Sequence, residues 1–281
     1  MSGILITGSG GRLGSSLYDY FKKQAEVEVV GITRKELELS KHRKVNSFVK
    51  RLQPSIIYHA AAMTGVDACE KYPEQAHKDN VLASRNIAAA AADVRARLVY
   101  FSTDYVFDGH KDSPYNESDI PFPINIYGQT KLEGEKTVAS LLSNYVTIRV
   151  AWLFGKAYDF ISFVKESLKL SKPLKLAADH LGSPGYIPDL LPAIDEIAQS
   201  EYTGIFHLSN SGGCSRFQMG SEIIAHLNLD IKLLKVSGDN VGFIARRPGQ
   251  SILESRRYRE LTGKVLRSWQ EALIDYLENS G

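Results

Sequence analysis

Tyr127 and Lys131 stand four residues apart at the start of a helical pattern covering 127–142, so they share one face. A phenol near its reference pKa of about 10 is a poor proton donor or acceptor at neutral pH. An adjacent ammonium favours the phenolate and lowers that value, which makes the pair a usable general acid/base. Upstream, the apolar run 98–101 delivers Ser102, Thr103, Asp104 and Tyr105 at its carboxyl end, the edge where open α/β sheets bind ligands. A hydroxyl there can hydrogen-bond a substrate carbonyl. A third feature precedes both: residues 4–7 run directly into Gly8, Ser9, Gly10, Gly11, Arg12, Leu13 and Gly14, and a helical pattern follows without a gap. Glycines in that position let the backbone approach a pyrophosphate, while the helix start offers unpaired N–H groups and the positive end of its dipole. At the end of the second apolar run, NAD-binding folds place an acid for the ribose 2′-OH, but here the chain reads Gly31, Ile32, Thr33, Arg34, Lys35. Arg34 and Lys35 suit a 2′-phosphate, so NADPH is the expected cofactor and NADH the alternative.

These groups can meet only if the chain folds to bring them together. Short apolar runs alternate with amphipathic stretches: 4–7 then 12–23, 27–33 then 40–52, 55–62 then an alanine-rich 84–92, followed by 97–103 and 146–152. Repeated β-α units with nearly continuous apolar strands predict an α/β fold, a Rossmann-type doubly wound parallel sheet buried on both faces, over residues 1–150. After Trp152 the rhythm changes to a Gly/Pro-rich passage at 181–188, short runs at 205–209 and 231–236, a helix at 217–227, and a closing helix at 268–277. Ser268 stands three residues before Glu271, a capping pattern. The expectation is a smaller C-terminal substrate-binding domain over 151–281, with some segments returning to the first.

With 43% hydrophobic and 23% charged residues over 281 positions, the chain can bury a sizeable core. A net charge of +2 argues against a nucleic-acid or anionic-membrane partner. Two cysteines, far apart, make no disulfide framework, and no run approaches the roughly 18 to 20 apolar residues of a membrane span. The N-terminal apolar run is too short for a secretory signal. A cytoplasmic protein acting on a small molecule is the expectation. The seven histidines show no ligand spacing, so no metal site is expected.

The three chemical features, in the chain order of glycine loop, strand-end hydroxyl and Tyr-x-x-x-Lys, resemble the extended short-chain dehydrogenase/reductase family, and within it the dTDP-4-dehydrorhamnose reductases. The resemblance is carried by the stretches 102–109, 125–135 and 60–67, and continues through 149–155, Gly182-Ser183-Pro184, Arg247-Pro248 and Ser251. It implies NADPH-dependent reduction of the C4 keto group of a nucleotide-linked 4-keto-6-deoxy sugar, dTDP-linked in the first instance, as in dTDP-rhamnose biosynthesis. By the same resemblance Thr103, Tyr127 and Lys131 carry the catalysis, with Lys131 also on the nicotinamide ribose. Ala60, Ala61 and Ala62 would line the cofactor, and Thr64, Asp104, Tyr105 and Trp152 would shape the sugar pocket. Arg247, with Arg246 beside it, is a candidate for the diphosphate because a guanidinium fork matches phosphate oxygens. Asn80 is a candidate for orienting the cofactor side or capping the alanine-rich helix.

The departures from the family pattern are His59, Tyr158-Asp159-Phe160, His180 and Gly185, all toward the sugar side. Ser15-Ser16 stand where some relatives carry a metal-bridging glutamate, which leaves a monomer or weak homodimer as the expectation. Two other readings stay open. One is a non-catalytic regulatory protein resembling the β subunit of methionine adenosyltransferase. The other is an NAD-retaining nucleotide-sugar epimerase or dehydratase, which would usually carry an acid where Arg34 stands.

Overall fold

The computed structural model describes residues 3–24, 27–156, 159–170 and 173–279; Tyr158, one of the departures noted above, lies outside them. Six strands form the central sheet. In its first part the chain runs β1 (Gly3–Thr7), α1 (Arg12–Lys22), β2 (Glu28–Ile32), α2 (His42–Leu52), β3 (Ile56–His59), α3 (Val66–Lys71), α4 (Pro73–His77), α5 (Ala83–Val94), β4 (Arg97–Thr103), α6 (Ile126–Leu141) and β5 (Tyr145–Val150). The later elements are β6 (Leu153–Phe154), α7 (Phe160–Ser167), β7 (Leu174–Ala177), β8 (Leu181–Gly182), β9 (Gly185–Tyr186), α8 (Ile187–Gln199), β10 (Gly204–Leu208), β11 (Cys214–Ser215), α9 (Arg216–His226), β12 (Leu233–Val236), α10 (Arg256–Thr262) and α11 (Trp269–Asn279).

The sheet order is β10-β5-β4-β3-β1-β2, with every pair parallel. Alternate residues of each strand serve opposite faces. Ile4, Ile6, Tyr58, Val99, Phe101, Val146 and Ile148 pack on Leu17 and Phe21 of α1 and on Ile187, Leu190, Ile194 and Ile197 of α8. Leu5, Ile57, Leu98 and Tyr100 pack on Val45 and Val49 of α2, the alanines of α5, and Val138 of α6. Both faces are thus covered, as continuous apolar strands require. The alanine run keeps α5 thin enough to lie between α2 and α6.

The strand order reverses on the two sides of β1 and β3, and that switch point opens a crevice outside their carboxyl ends. Glycine loop, alanine motif and the end of β4 all lie along that edge. The sheet does not stop at residue 151: β10 pairs with β5 and is its edge strand, while Tyr258 of α10 joins the core on one face. The remaining C-terminal elements form three two-stranded pieces, β6-β9, β7-β12 and β8-β11, around a separate core that includes Phe154, Val164, Leu176, Met219, Ile223, Trp269 and Leu273. The capping pattern of the last helix is realised, with the Glu271 amide donating to Ser268 Oγ at 3.2 Å and the Ser268 amide to Glu271 Oε2 at 2.8 Å.

Candidate active site

The glycine loop closes because Gly14 lies against the loop's own backbone: a Cβ there would stand 2.1 Å from the Gly8 carbonyl oxygen. Helix α1 starts at Arg12 without a side-chain cap and without an acid in its first turn. No side chain caps that start, and Gly11, Arg12, Leu13 and Gly14 line a cavity of about 370 Å³. An adjoining cavity of about 340 Å³ is lined by Gly8, Thr33, Arg34, Leu37, Ala61 and Ala62 among others. Arg34 pairs there with Asp79 at 2.6 Å, while Lys35 is exposed and outside the lining. Gly10 is exposed at the loop tip. An uncapped helix start beside a slot of mixed polar and apolar lining, with the Asp79-paired Arg34 guanidinium on its wall, is compatible with a dinucleotide phosphorylated at the ribose.

Across the first cavity stand Thr103, Asp104, Tyr105, Tyr127, Lys131 and Trp152, with Ala60, Ala62 and Thr64 on the near wall. Three elements, β4, α6 and β5 (which ends two residues before Trp152), converge to do this. β4 ends at Thr103, and α6 begins just before Tyr127, where Asn125 caps it by accepting from the Gly128 amide at 2.8 Å. One helical turn later Lys131 emerges on the same face. Asn80, buried inside a π-helical stretch covering 78–82, ties the alanine-motif loop to α6: its Oδ1 accepts from the Met63 amide at 2.7 Å and its Nδ2 donates to Thr130 Oγ1 at 3.0 Å. It neither caps the alanine-rich helix nor enters the cavity lining. A π-bulge at such a position is a common functional device.

The electrostatics correct one expectation. Burial pushes the Tyr127 phenol up from its ordinary value, partly offset by a hydrogen bond with Thr103, and the Lys131 ammonium is not among the dominant influences on it. Burial instead pushes Lys131 down to about 7, against the pull of Glu135, and its Nζ lies 4.1 Å from the centre of the Tyr100 ring. The physical reason is that the spacing argument omitted desolvation, which acts on phenolate and ammonium alike when both leave water. Tyr127 is therefore held as a neutral phenol, a proton donor. Thr103 Oγ1 accepts from the Tyr105 amide at 3.2 Å and donates to Asp104 Oδ1 at 3.0 Å; Ser251 Oγ donates to the other carboxyl oxygen at 2.6 Å. Burial raises Asp104 to about 6.

His59 bridges the strand ends beneath the site. Ser84 gives its proton to the Asn80 carbonyl at 2.6 Å, so His59 Nε2 donates to Ser84 Oγ at 3.1 Å and Nδ1 accepts from Thr7 at 2.7 Å. Burial and the nearby Lys131 charge press its pKa down to about 3, which keeps it neutral. Trp152 adopts φ 42°, in the left-handed region that non-glycine residues avoid. That backbone turn sets its indole against Gly182 and the Arg216 guanidinium.

Arg247 is not drawn into the cavity lining. Its guanidinium is engaged by Asp67 at 3.0 Å and by the Ala245 carbonyl at 3.0 Å, and Asp67 also accepts from the Ile244 and Ala245 amides. Sequence reasoning missed Arg216, which does line the cavity. The Ser215-x-x-Gln218 capping box signals that a helix begins there, but nothing local says that its first side chain turns back onto Trp152.

A family described as the RmlD substrate binding domain matches the chain over residues 1–281. The chain is 35% identical over 281 residues to the spore coat polysaccharide biosynthesis protein SpsK of Bacillus subtilis, covering 99% of this chain and 98% of that protein. It is 34% identical to a dTDP-4-dehydrorhamnose reductase of Mycolicibacterium smegmatis, covering 97% of this chain and 84% of that one. Among solved structures, dTDP-4-dehydrorhamnose reductase from Bacillus anthracis in complex with NADP superposes with a TM-score of 0.95 at 35% identity, over 99% of each chain.

Proposed function

We propose that this chain, which belongs to the RmlD substrate binding domain family, is an NADPH-dependent reductase of the C4 keto group of a dTDP-linked 4-keto-6-deoxy sugar. One observation carries the reading beyond family membership: Thr103, Tyr127 and Lys131 line the same cavity as the uncapped start of α1. Relatives named for this reaction align over nearly the whole chain, and a relative's structure holds NADP.

Gly11, Arg12, Leu13 and Gly14 would hold the cofactor pyrophosphate, Arg34 the 2′-phosphate, and Ala60, Ala61 and Ala62 its inner wall. When bound, the reduced nicotinamide supplies hydride to the carbonyl carbon. Tyr127 is the general acid, since burial keeps its proton in place until a developing alkoxide asks for it. Thr103 turns its hydroxyl from Asp104 to the carbonyl oxygen and fixes it beside the phenol. Lys131, one turn along α6, holds the ribose and, when charged, stabilises the phenolate left after proton transfer. The accompanying reading is a cytoplasmic enzyme acting as a monomer or weak homodimer; both cysteines are free and buried, as a reducing compartment permits, and no described helix is long and apolar enough to cross a membrane.

The test is loss of NADPH absorbance when dTDP-4-dehydrorhamnose is added to the purified chain. Tyr127→Phe is expected to lower kcat by at least about 10² to 10³-fold while the NADPH Kd stays within about twofold. A fully active Tyr127→Phe variant would overturn the catalytic assignment.

A further inference from the structure

One cation in the catalytic cavity has no part in the roles above. Arg216 is the first residue of α9, and the capping box fixes the backbone on either side of it: Ser215 Oγ accepts from the Gln218 amide at 3.1 Å and Gln218 Oε1 from the Ser215 amide at 2.8 Å. From that fixed start the guanidinium reaches over Trp152, 3.8 Å from the ring centroid, and lies 4.6 Å from the centroid of Phe160. Stacking of this kind holds the guanidinium plane and leaves its N–H edges to point into the space beside the ring.

Those edges have little to bind. Among the described residues the Arg216 side chain makes no ion pair within 4 Å, and its one hydrogen-bond contact is to the weak acceptor Met219 Sδ at 4.0 Å. Burial lowers its pKa to about 10, which still leaves it charged at neutral pH. Asp104, whose charge it feels, has its carboxyl oxygens engaged by Ser251 and Thr103. A desolvated cation with open donors is costly until something supplies acceptors. Arg247, the residue expected to meet the diphosphate, is by contrast engaged by Asp67.

We propose that Arg216 binds the substrate's pyranose, its fork donating to the hydroxyl oxygens on two adjacent ring carbons, and so helps decide which sugar is reduced. The inference rests on the reductase reading. It places the contact on the sugar because, besides Cys214 and Arg12, the groups whose charge Arg216 feels are Asp104 and Tyr105, and its guanidinium lies over Trp152; these three flank the Thr103–Tyr127 pair where the C4 carbonyl must lie. The diphosphate leaves from C1, on the opposite side of the ring.

The experiment measures KM and kcat for dTDP-4-dehydrorhamnose and for dTDP-4-keto-6-deoxy-D-glucose, with NADPH and dTDP binding measured alongside. Arg216→Met keeps a stem over Trp152 and removes the donors; it is expected to raise KM roughly 10- to 100-fold, the loss of a charged hydrogen-bonding pair, with a smaller fall in kcat. NADPH Kd and dTDP inhibition stay within about twofold. Arg216→Lys restores only part of the loss because a single ammonium cannot span two acceptors. A KM within twofold of the parent, or dTDP inhibition weakened as much as KM, overturns the proposal, the latter in favour of the diphosphate. Should the parent protein reduce neither sugar, the reductase reading fails by itself. Calorimetry with dTDP-rhamnose then decides Arg216: weaker binding by the Met variant sustains it, and equal binding removes it.

Discussion

Lys131 is the residue at which function and stability oppose each other. Its folded pKa lies near 7, well below the ordinary ammonium value, because burial penalises the charge. Between roughly 7 and 10.5 the unfolded chain binds more protons than the folded one, so the stability of the protein rises with pH through that window. Below about pH 7 the buried charge must be carried in full. Lys131→Met is therefore expected to abolish turnover yet raise the Tm of the cofactor-free protein. The rise should be greater at pH 6 than at pH 9, as measured by thermal denaturation at the two values. A variant less stable than the parent at pH 6 would contradict the burial argument. Spacing alone placed Tyr127 and Lys131 on one face, and that held because it follows from helix geometry. Their mutual influence did not follow from spacing, because desolvation depends on everything packed around them.

Helix α6 works as a delivery element, and its position depends on how closely it lies on β4. A Cβ at Gly134 would stand 2.2 Å from the Tyr100 hydroxyl and 3.1 Å from the Asn80 carbonyl. Alanine is the better helix former by about 1 kcal/mol, but overpacking of this kind costs about 1–3 kcal/mol, so Gly134→Ala should destabilise. Because the nearest obstruction is one oxygen, Tyr100→Phe should relieve part of the cost. The Tyr100 hydroxyl donates to the Lys131 carbonyl at 3.2 Å and is also in hydrogen-bond contact with Ser84, so its own loss costs about 0.5–1.5 kcal/mol. Urea unfolding should find the double variant more stable than Gly134→Ala alone, and a strictly additive result would refute the steric reading. Helices α1, α2, α5, α6, α9 and α11 were legible in outline from periodicity, whereas α8, which begins in the Gly/Pro-rich passage and carries Pro192 inside it, and the shorter helices were not. The ends of the legible ones shifted by a residue or two, and the π-helical stretch carrying Asn80 left no periodic trace, since a single bulge does not change the apolar spacing enough to read.

At the scale of the whole molecule, one buried ion pair links the sheet to α6 and to the C-terminal half. Arg149 of β5, 1% exposed, pairs with Glu135 of α6 in a two-point contact at 2.9 and 2.7 Å and reaches His207 of β10 at 3.3 Å. His207 donates from Nδ1 to the Tyr115 carbonyl at 3.0 Å, and its amide donates to Glu117 Oε1 at 3.0 Å. Removing one partner strands the other charge. Arg149→Met is expected to cost about 3–5 kcal/mol, while the double change with Glu135→Leu costs far less. Chemical denaturation of both variants checks this, and equal losses would show that the pair matters through packing alone.

The sequence by itself determined the parallel sheet with two covered faces, the glycine loop at its first turn, and the order of hydroxyl, phenol and ammonium along the chain, because each is written in local periodicity and spacing. Only the tertiary structure decided that residues 204–208 complete the first sheet rather than the second unit. It also decided that Arg247 is spent on Asp67 and that Arg216 turns into the cavity. Those outcomes depend on which charges lose water and which neighbours they then find, and no spacing along a chain encodes that.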